Sequence, residues 1–248
     1  MKDAQGWRAK FGVLGPSTNT IVQPDFETMR PIGVTNHYSR IFTPNSKALS
    51  NETFLAGTKI IADNVLDAVA SVMTCEPDYL VMGMSAITFY GGITGARAFE
   101  ANVTRAAGVG LSCGSLATAA ALRAFGGIKK IAFLSPYYPA ANAQVRTYFE
   151  EEGFEVGADH CLQCPSWVAI SQVQEEELVD VIKKIDGGDI DAIVQVGTNL
   201  SMLALAAAAE RWLSKPVIAI NAATYWHALR ANGIDDHIIG RGRILEEF

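Results

Sequence analysis

The sequence is short of the side chains that most often carry chemistry. Among 248 residues there are four histidines and four cysteines, and charged residues make up only 19%. No run of about 18 apolar residues occurs, so an ordinary membrane-spanning helix is not expected. The opening MKDAQGWRAK lacks the apolar stretch of a secretory signal, and a cytoplasmic location is expected. A net charge of −6 argues against nucleic acid or an anionic membrane surface as partner. So few cysteines do not make a disulfide framework. His160-Cys161-x-x-Cys164 has the spacing of half a metal site or a redox pair, yet a structural zinc site needs a second ligand pair and none is found. Two ordinary thiols in a loop is the simpler reading. There is no G-x-x-x-x-G-K-[ST], no G-x-S-x-G and no H-E-x-x-H, and Gly91-Gly-Ile-Thr-Gly95 is not a clean dinucleotide fingerprint. Neither metal nor cofactor is expected.

What is present is a steady alternation of short apolar runs and amphipathic stretches, in a chain that is 49% hydrophobic. The segments 11–14, 79–83, 131–135, 192–196 and 216–220 read as parallel strands buried on both faces, with a weaker strand at 33–36. Helical spacing marks 46–73, 115–125, 140–151, 174–185, 201–213 and 223–231. The fold class expected is α/β, a parallel sheet covered by helices on both faces. Asp78-Tyr-Leu-Val-Met-Gly-Met-Ser85 and Asp191-Ala-Ile-Val-Gln-Val-Gly-Thr198 echo each other, which suggests two like halves facing across a cleft.

Ligands of open parallel sheets bind outside the carboxyl ends of the strands. The residues there are Gly15-Pro-Ser-Thr-Asn-Thr20, 36–40, 83–92, 111–115, 135–138, 197–201 and 221–224. Nearly all are small, hydroxylated or amide-bearing. With backbone N–H groups at helix starts they would make a neutral, donor-rich cradle suited to a carboxylate or an enolate oxygen.

These motifs resemble a known family. Gly15-Pro-Ser-Thr-Asn-Thr20 is similar to the loop after the first strand of maleate isomerases. Met82-Gly-Met-Ser-Ala-Ile-Thr-Phe-Tyr-Gly-Gly92 resembles a Met-Gly-Thr-Ser-Leu-Ser-Phe-Tyr segment of arylmalonate decarboxylase. Ala121-Leu-Arg-Ala-Phe-Gly126, Lys130-Ile-Ala-Phe-Leu-Ser-Pro-Tyr137 and Trp226-His-Ala-Leu-Arg230 continue the likeness over about residues 11–241. The resemblance is to the aspartate/glutamate racemase superfamily. It implies two pseudo-symmetric Rossmann-like subdomains, here 1–110 plus 216–248 and 111–215, with the active site in the cleft between them. It also implies cofactor-free carbanion or enolate chemistry on small carboxylates, assisted by one or two cysteines. This chain departs there: the first-half cysteine position falls on Gly83, or on Met84 with a one-residue shift, and the second on Gly197.

What remains of the family's site is its oxyanion-binding part. Ser85 and Tyr137 are expected as catalytic hydrogen-bond donors, against plain readings as a helix cap and a packing tyrosine. Pro16, Asn19, Gly83, Met84, Ala86, Ser115, Gly197, Thr198 and Asn199 are expected to contact substrate. Asn19 could equally close an Asx turn, and Thr198 and Asn199 could equally cap a helix. Cys113 is a candidate relocated nucleophile or proton donor, though a lone cysteine is more often core filler. His37 is a candidate base, set against a surface or structural role. Arg40 could clamp a carboxylate, and His227 reads as structural. The activity expected is that of a decarboxylase or isomerase on a small carboxylate or dicarboxylate. The alternatives are a hydrolase or hydratase using Cys113 or activated water, and a silent carboxylate-binding protein. A homo-oligomer is compatible with all of these.

Overall fold

The computed structural model describes residues 3–46 and 50–248. Among these residues eight strands form two parallel sheets. The first joins β1 (Ala9–Pro16), β2 (Val34–Ile41), β3 (Tyr79–Met82) and β4 (Leu111–Ser112) in the order β2-β1-β3-β4. The second joins β5 (Lys130–Ser135), β6 (Glu155–Cys161), β7 (Ala192–Gln195) and β8 (Val217–Ala219) in the order β6-β5-β7-β8. The orders are the same after a shift of four strands, so the two halves are pseudo-symmetric. Phe11, Val13, Leu80, Val81, Ile131, Phe133, Ile193 and Val194 are fully buried. That is why the central strands read as unbroken apolar runs.

The sequence echo has a structural basis. Asp78 Oδ2 accepts from Lys10 N at 2.7 Å while Asp78 N donates to Lys10 O at 2.8 Å. In the second half Asp191 Oδ2 accepts from Lys130 N at 2.8 Å, and Asp191 N donates to Lys130 O at 2.8 Å. At the far ends Gly83 N donates to Leu14 O at 2.7 Å and Val196 N to Leu134 O at 2.8 Å. Each aspartate therefore pins the entry of its strand to a neighbour, and equal lengths later the chain leaves at equivalent places. Ser85 and Thr198 stand in the same position of the two repeats.

Several expectations need correcting. The subdomain boundaries shift: β4 at Leu111–Ser112 still belongs to the first sheet, and β8 at Val217–Ala219 to the second. The following helix α9 (Ile220–Ala231) crosses back, packing on β3, β4 and α1 (Val22–Met29), and the segment after it follows, Asp236 pairing with Arg8. The helix expected over 46–73 is two, α2 (Asn51–Asp63) and α3 (Val65–Met73), broken at Asn64. Ser50 starts α2 with a reciprocal capping box to Thr53, and residues 47–49 of the expectation lie outside the described residues. The stretch 36–40 is not a loop but part of β2, an edge strand. The helix α4 (Gly92–Ala107) and the strand β6 were not anticipated. Helices α5 (Gly114–Phe125), α6 (Pro139–Glu151), α7 (Glu175–Ile185) and α8 (Leu203–Leu213) agree with the periodicity, and a short α10 (Arg243–Glu247) follows.

Candidate active site

Parallel strands leave all their carboxyl ends on one edge, and with two sheets facing each other those edges enclose a cavity. Pro16, Thr18 and Asn19 enter it after β1, and Met84, Ser85 and Ala86 after β3. From the second half come Pro136 and Tyr137 after β5 and Gly197, Thr198 and Asn199 after β7. Ile61 of α2 and Trp167 and Ile170, beyond β6, complete the wall. The cavity is small, with about 30 Å³ open to the centres of water-sized molecules, room for roughly two waters. Among the described residues no charged side chain lines it.

Polar contacts cross between the halves. Ser85 Oγ, of the first half, lies 2.7 Å from Tyr137 Oη, of the second. Thr198 Oγ1, of the second half, donates to Gly83 O at 2.8 Å and accepts from Asn19 Nδ2 at 3.0 Å. Asn19 Oδ1 in turn accepts from the N–H groups of Ile21 and Val22 at 3.0 and 2.9 Å, so the amide orientation is fixed. Asn199 Oδ1 accepts from Thr20 N at 2.9 Å and Asn199 Nδ2 donates to Trp167 O at 2.9 Å. The plain reading of Asn19 as an Asx turn is thus realised, whereas Thr198 and Asn199 do not cap a helix, α8 starting later with Met202 at its N-cap and no side-chain cap; all three residues face the cavity.

Counting protons separates these groups. Thr198 has spent its hydroxyl proton on Gly83. Ser85 and Tyr137 share one hydrogen bond, so one of their two hydroxyl protons stays available to a guest. Among the described residues, the backbone N–H groups of Ser85, Thr198 and Asn199 have no protein acceptor. Burial holds the Tyr137 phenol protonated well above its ordinary range, with the bond to Ser85 pulling the other way. The arrangement is a neutral, partly dehydrated donor set, the kind that stabilises developing negative charge on oxygen.

Five of the expected residues are not brought to the cavity. Gly83 contributes its carbonyl to Thr198, but a side chain there would press on Val22 at 2.9 Å. Met84, not Gly83, is the residue of this strand exit that faces in. Ser115 is fully buried, its N–H bonded to Thr88 Oγ1 at 3.3 Å. Cys113 is fully buried at the start of α5, its Sγ 3.7 Å from Ser115 Oγ, and burial pushes its pKa up to about 11. Such a thiol is neither accessible nor ionised. His37 sits within β2, its Nε2 3.0 Å from Thr35 Oγ1, and does not line the cavity. Arg40 spends its guanidinium on Asn19 O at 2.7 Å and Gln23 Oε1 at 3.2 Å, bracing the first loop from behind.

Cys161 and Cys164 also stay off the cavity wall, and burial raises Cys164 to about 12. His227, read as structural, bonds Ser112 Oγ at 3.1 Å. Among the described residues no cluster of three or more metal-ligating side chains occurs, and no helix is long and apolar enough to cross a membrane. Sequence reasoning missed Ile61, Trp167 and Ile170 as wall residues, because none of them follows a strand of the central core. Thr18 and Pro136 lay inside loops already singled out.

The position expected for the second thiol is closed. Gly197 has φ +106°, and a Cβ there would come within 2.4 Å of Pro136 Cδ. The pyrrolidine ring of Pro136 occupies the space a side chain would need.

Known proteins of the same shape put this geometry in context. A maleate isomerase of Pseudomonas putida is 25% identical over 248 residues, covering 95% of this chain and 96% of the relative. The structure of the Nocardia farcinica maleate cis-trans isomerase bound to TRIS superposes with a TM-score of 0.86 at 20% identity, covering 96% of this chain and 98% of that one. A liganded double mutant of arylmalonate decarboxylase superposes with a TM-score of 0.81 at 20% identity, covering 96% and 99%. The family model for arylmalonate decarboxylase matches residues 48–245, most of the chain, and the chain belongs to that family.

Proposed function

We propose that this protein is a cofactor-independent enzyme of the decarboxylase and isomerase type, and that it removes carbon dioxide from a small malonate-like carboxylate. The observation that carries the reading is the Ser85–Tyr137 pair, with its one unspent hydroxyl proton, set in a neutral cavity that no cysteine lines. A mutant of the Nocardia isomerase is known with a covalently bound succinylcysteine intermediate. A thiol adduct of that kind has no counterpart group here, whereas decarboxylation requires none.

In the proposed step the bond from the α-carbon to one carboxylate breaks. Its electron pair passes into the remaining carboxylate as an enediolate, and carbon dioxide departs neutral. The enediolate oxygens take hydrogen bonds from the Ser85–Tyr137 pair and from the N–H groups of Thr198 and Asn199. Ile61, Met84, Trp167 and Ile170 give the departing group an apolar surface. A proton then returns to the α-carbon from water or from Tyr137, and in the second case Tyr137 is reprotonated by solvent.

The test is to incubate the protein in D₂O with malonate, methylmalonate, phenylmalonate and maleate and follow the products by proton NMR. Loss of one carboxylate with a single deuterium at the α-carbon is expected for a malonate. Conversion of maleate to fumarate with no malonate turnover would replace decarboxylation by isomerisation. Calorimetric binding of all four without turnover would make the protein a silent carboxylate binder.

A further inference from the structure

Beneath the cavity floor one asparagine joins the halves. Asn221 stands at the start of α9, is 2% exposed, and spends both protons of its amide on oxygen. Nδ2 donates to Asp25 Oδ2, on α1, at 2.7 Å and to Thr198 O at 3.0 Å. Its Oδ1 is buried and, among the described residues, meets no donor. An amide in this setting has two orientations of very different energy. With Asp25 ionised, the observed one is enforced, because a flip would set Oδ1 against a carboxylate and a carbonyl. With Asp25 protonated, the amide keeps this orientation, because a flip would take both Nδ2 protons off their acceptors and set Oδ1 against Thr198 O, but its bond to the carboxyl is no longer charge-assisted and weakens. Charge-assisted hydrogen bonds are about twice as strong as neutral ones, so the charge on Asp25 sets how firmly the amide is held.

We propose that Asn221 and Asp25 are positioning residues for the candidate site, with the charge on Asp25 holding the Asn221 amide and the amide holding the Thr198 loop. Thr198 is the link to the cavity: it faces the guest, and its hydroxyl ties Gly83 and Asn19 together. The groups that act on the Asp25 carboxyl are Asn221 from α9 and Arg241 from the segment before α10. Burial lifts Asp25 to about 6, with Asn221 and Arg241 opposing the lift. The change in hold therefore falls within an ordinary pH range, the loop being held more firmly above it than below.

The inference rests on reading the cavity as the site, so the test separates the two. In the full chain, the Asn221 side-chain NH₂ and Thr198 backbone N–H signals are followed by NMR from pH 4.5 to 8. Both are expected to move with one shared midpoint near 6, and to stay flat in Asp25→Asn. Flat signals in the wild type, or a Thr198 signal that ignores the Asn221 transition, would overturn the proposal without any variant having to fold. Where turnover is found, kcat/KM is expected to fall below pH 6 in the wild type with a smaller fall in Asp25→Asn. Absence of turnover with the shared midpoint intact would retire the proposed reaction and leave the positioning role standing.

Discussion

Ser85 Oγ and Tyr137 Oη meet at 2.7 Å across the boundary between the two halves, each donated by a loop that follows a central strand. Neither half alone has this pair. A guest oxygen placed beside it receives a proton from one hydroxyl that is itself polarised by the other, which strengthens the donor. Ser85→Ala and Tyr137→Phe are each expected to lower turnover of the true substrate by about 10²–10³, the usual loss for one oxyanion donor. Steady-state assays of both variants decide it, and wild-type rates in either would remove the pair from the mechanism.

How far all this could be read from the chain depends on where each element lies. β1, β3, β5, β7 and β8 are buried on both faces, and continuous apolar sequence announces such strands. β6 (Glu-Val-Gly-Ala-Asp-His-Cys) is an edge strand with one face open, so its apolar signal thins out. β2 is an edge strand of the first sheet, and its half-buried His37 and exposed Arg40 looked like loop chemistry because only its first residues read as a strand. The hydroxyl and amide loops were legible since exits of parallel strands share an edge. Trp167 was not, because Phe54 places it: the ring centroids lie 4.8 Å apart, between residues more than a hundred positions apart in sequence. Cys113 looked like loop chemistry by composition, and only packing shows it sealed beneath α5.

Acid titration should expose Glu210. Its Oε1 accepts from Val217 N at 3.2 Å and its Oε2 from Arg243 N at 2.8 Å, tying α8 to β8 and to α10. Burial raises the carboxyl from 4.5 to about 7 despite those two donors. The folded state then binds more protons than the unfolded chain between these values. This group's contribution is therefore full below about 4.5 and is lost as pH rises through about 7, on the order of 3 kcal/mol at most. Urea unfolding at pH 5, 6, 7 and 8 should show that fall. Glu210→Gln should remove it, while losing about 1–3 kcal/mol through one mismatched donor. Parallel pH profiles for the two proteins would refute the assignment.

Gly57→Ala sets two effects against each other. Within a helix the change favours folding by about 1 kcal/mol. Here the new Cβ would stand 2.7 Å from Trp167 Cζ2, and Trp167 is 5% exposed and packed on Phe54. Overpacking of that kind costs about 1–3 kcal/mol, so a net loss of roughly 0–2 kcal/mol is expected. The indole must shift, and since it lines the cavity the larger effect should be on KM, with kcat nearly unchanged. Unaltered near-ultraviolet circular dichroism together with an unaltered KM would show that Trp167 is not held by Gly57.

The last prediction concerns restoring a thiol. The family resemblance puts the second cysteine position on Gly197, which makes Gly197→Cys the obvious variant, and the backbone argues against it. φ there is +106°, a region side chains rarely adopt, and the Cβ would collide with Pro136 Cδ at 2.4 Å. Strain of about 1–3 kcal/mol comes from the backbone alone, and Pro136 cannot rotate away as a flexible side chain could. Gly197→Cys is therefore expected to unfold at markedly lower denaturant than the wild type. The repeat relationship offers a better place. Met84 is the counterpart of Gly197 in the first half, faces the cavity, and is flanked by the N–H of Ser85, which has no protein acceptor among the described residues. Met84→Cys should fold with a modest cavity cost of about 1–3 kcal/mol. Its thiol should react with iodoacetamide well before Cys113 or Cys164, whose ionisation burial suppresses. Peptide mass spectrometry after brief alkylation reads this directly. A Gly197→Cys protein as stable as the wild type, or a Met84→Cys thiol no faster than Cys113, would mean that the cavity wall is drawn wrongly at the exits of β3 and β7.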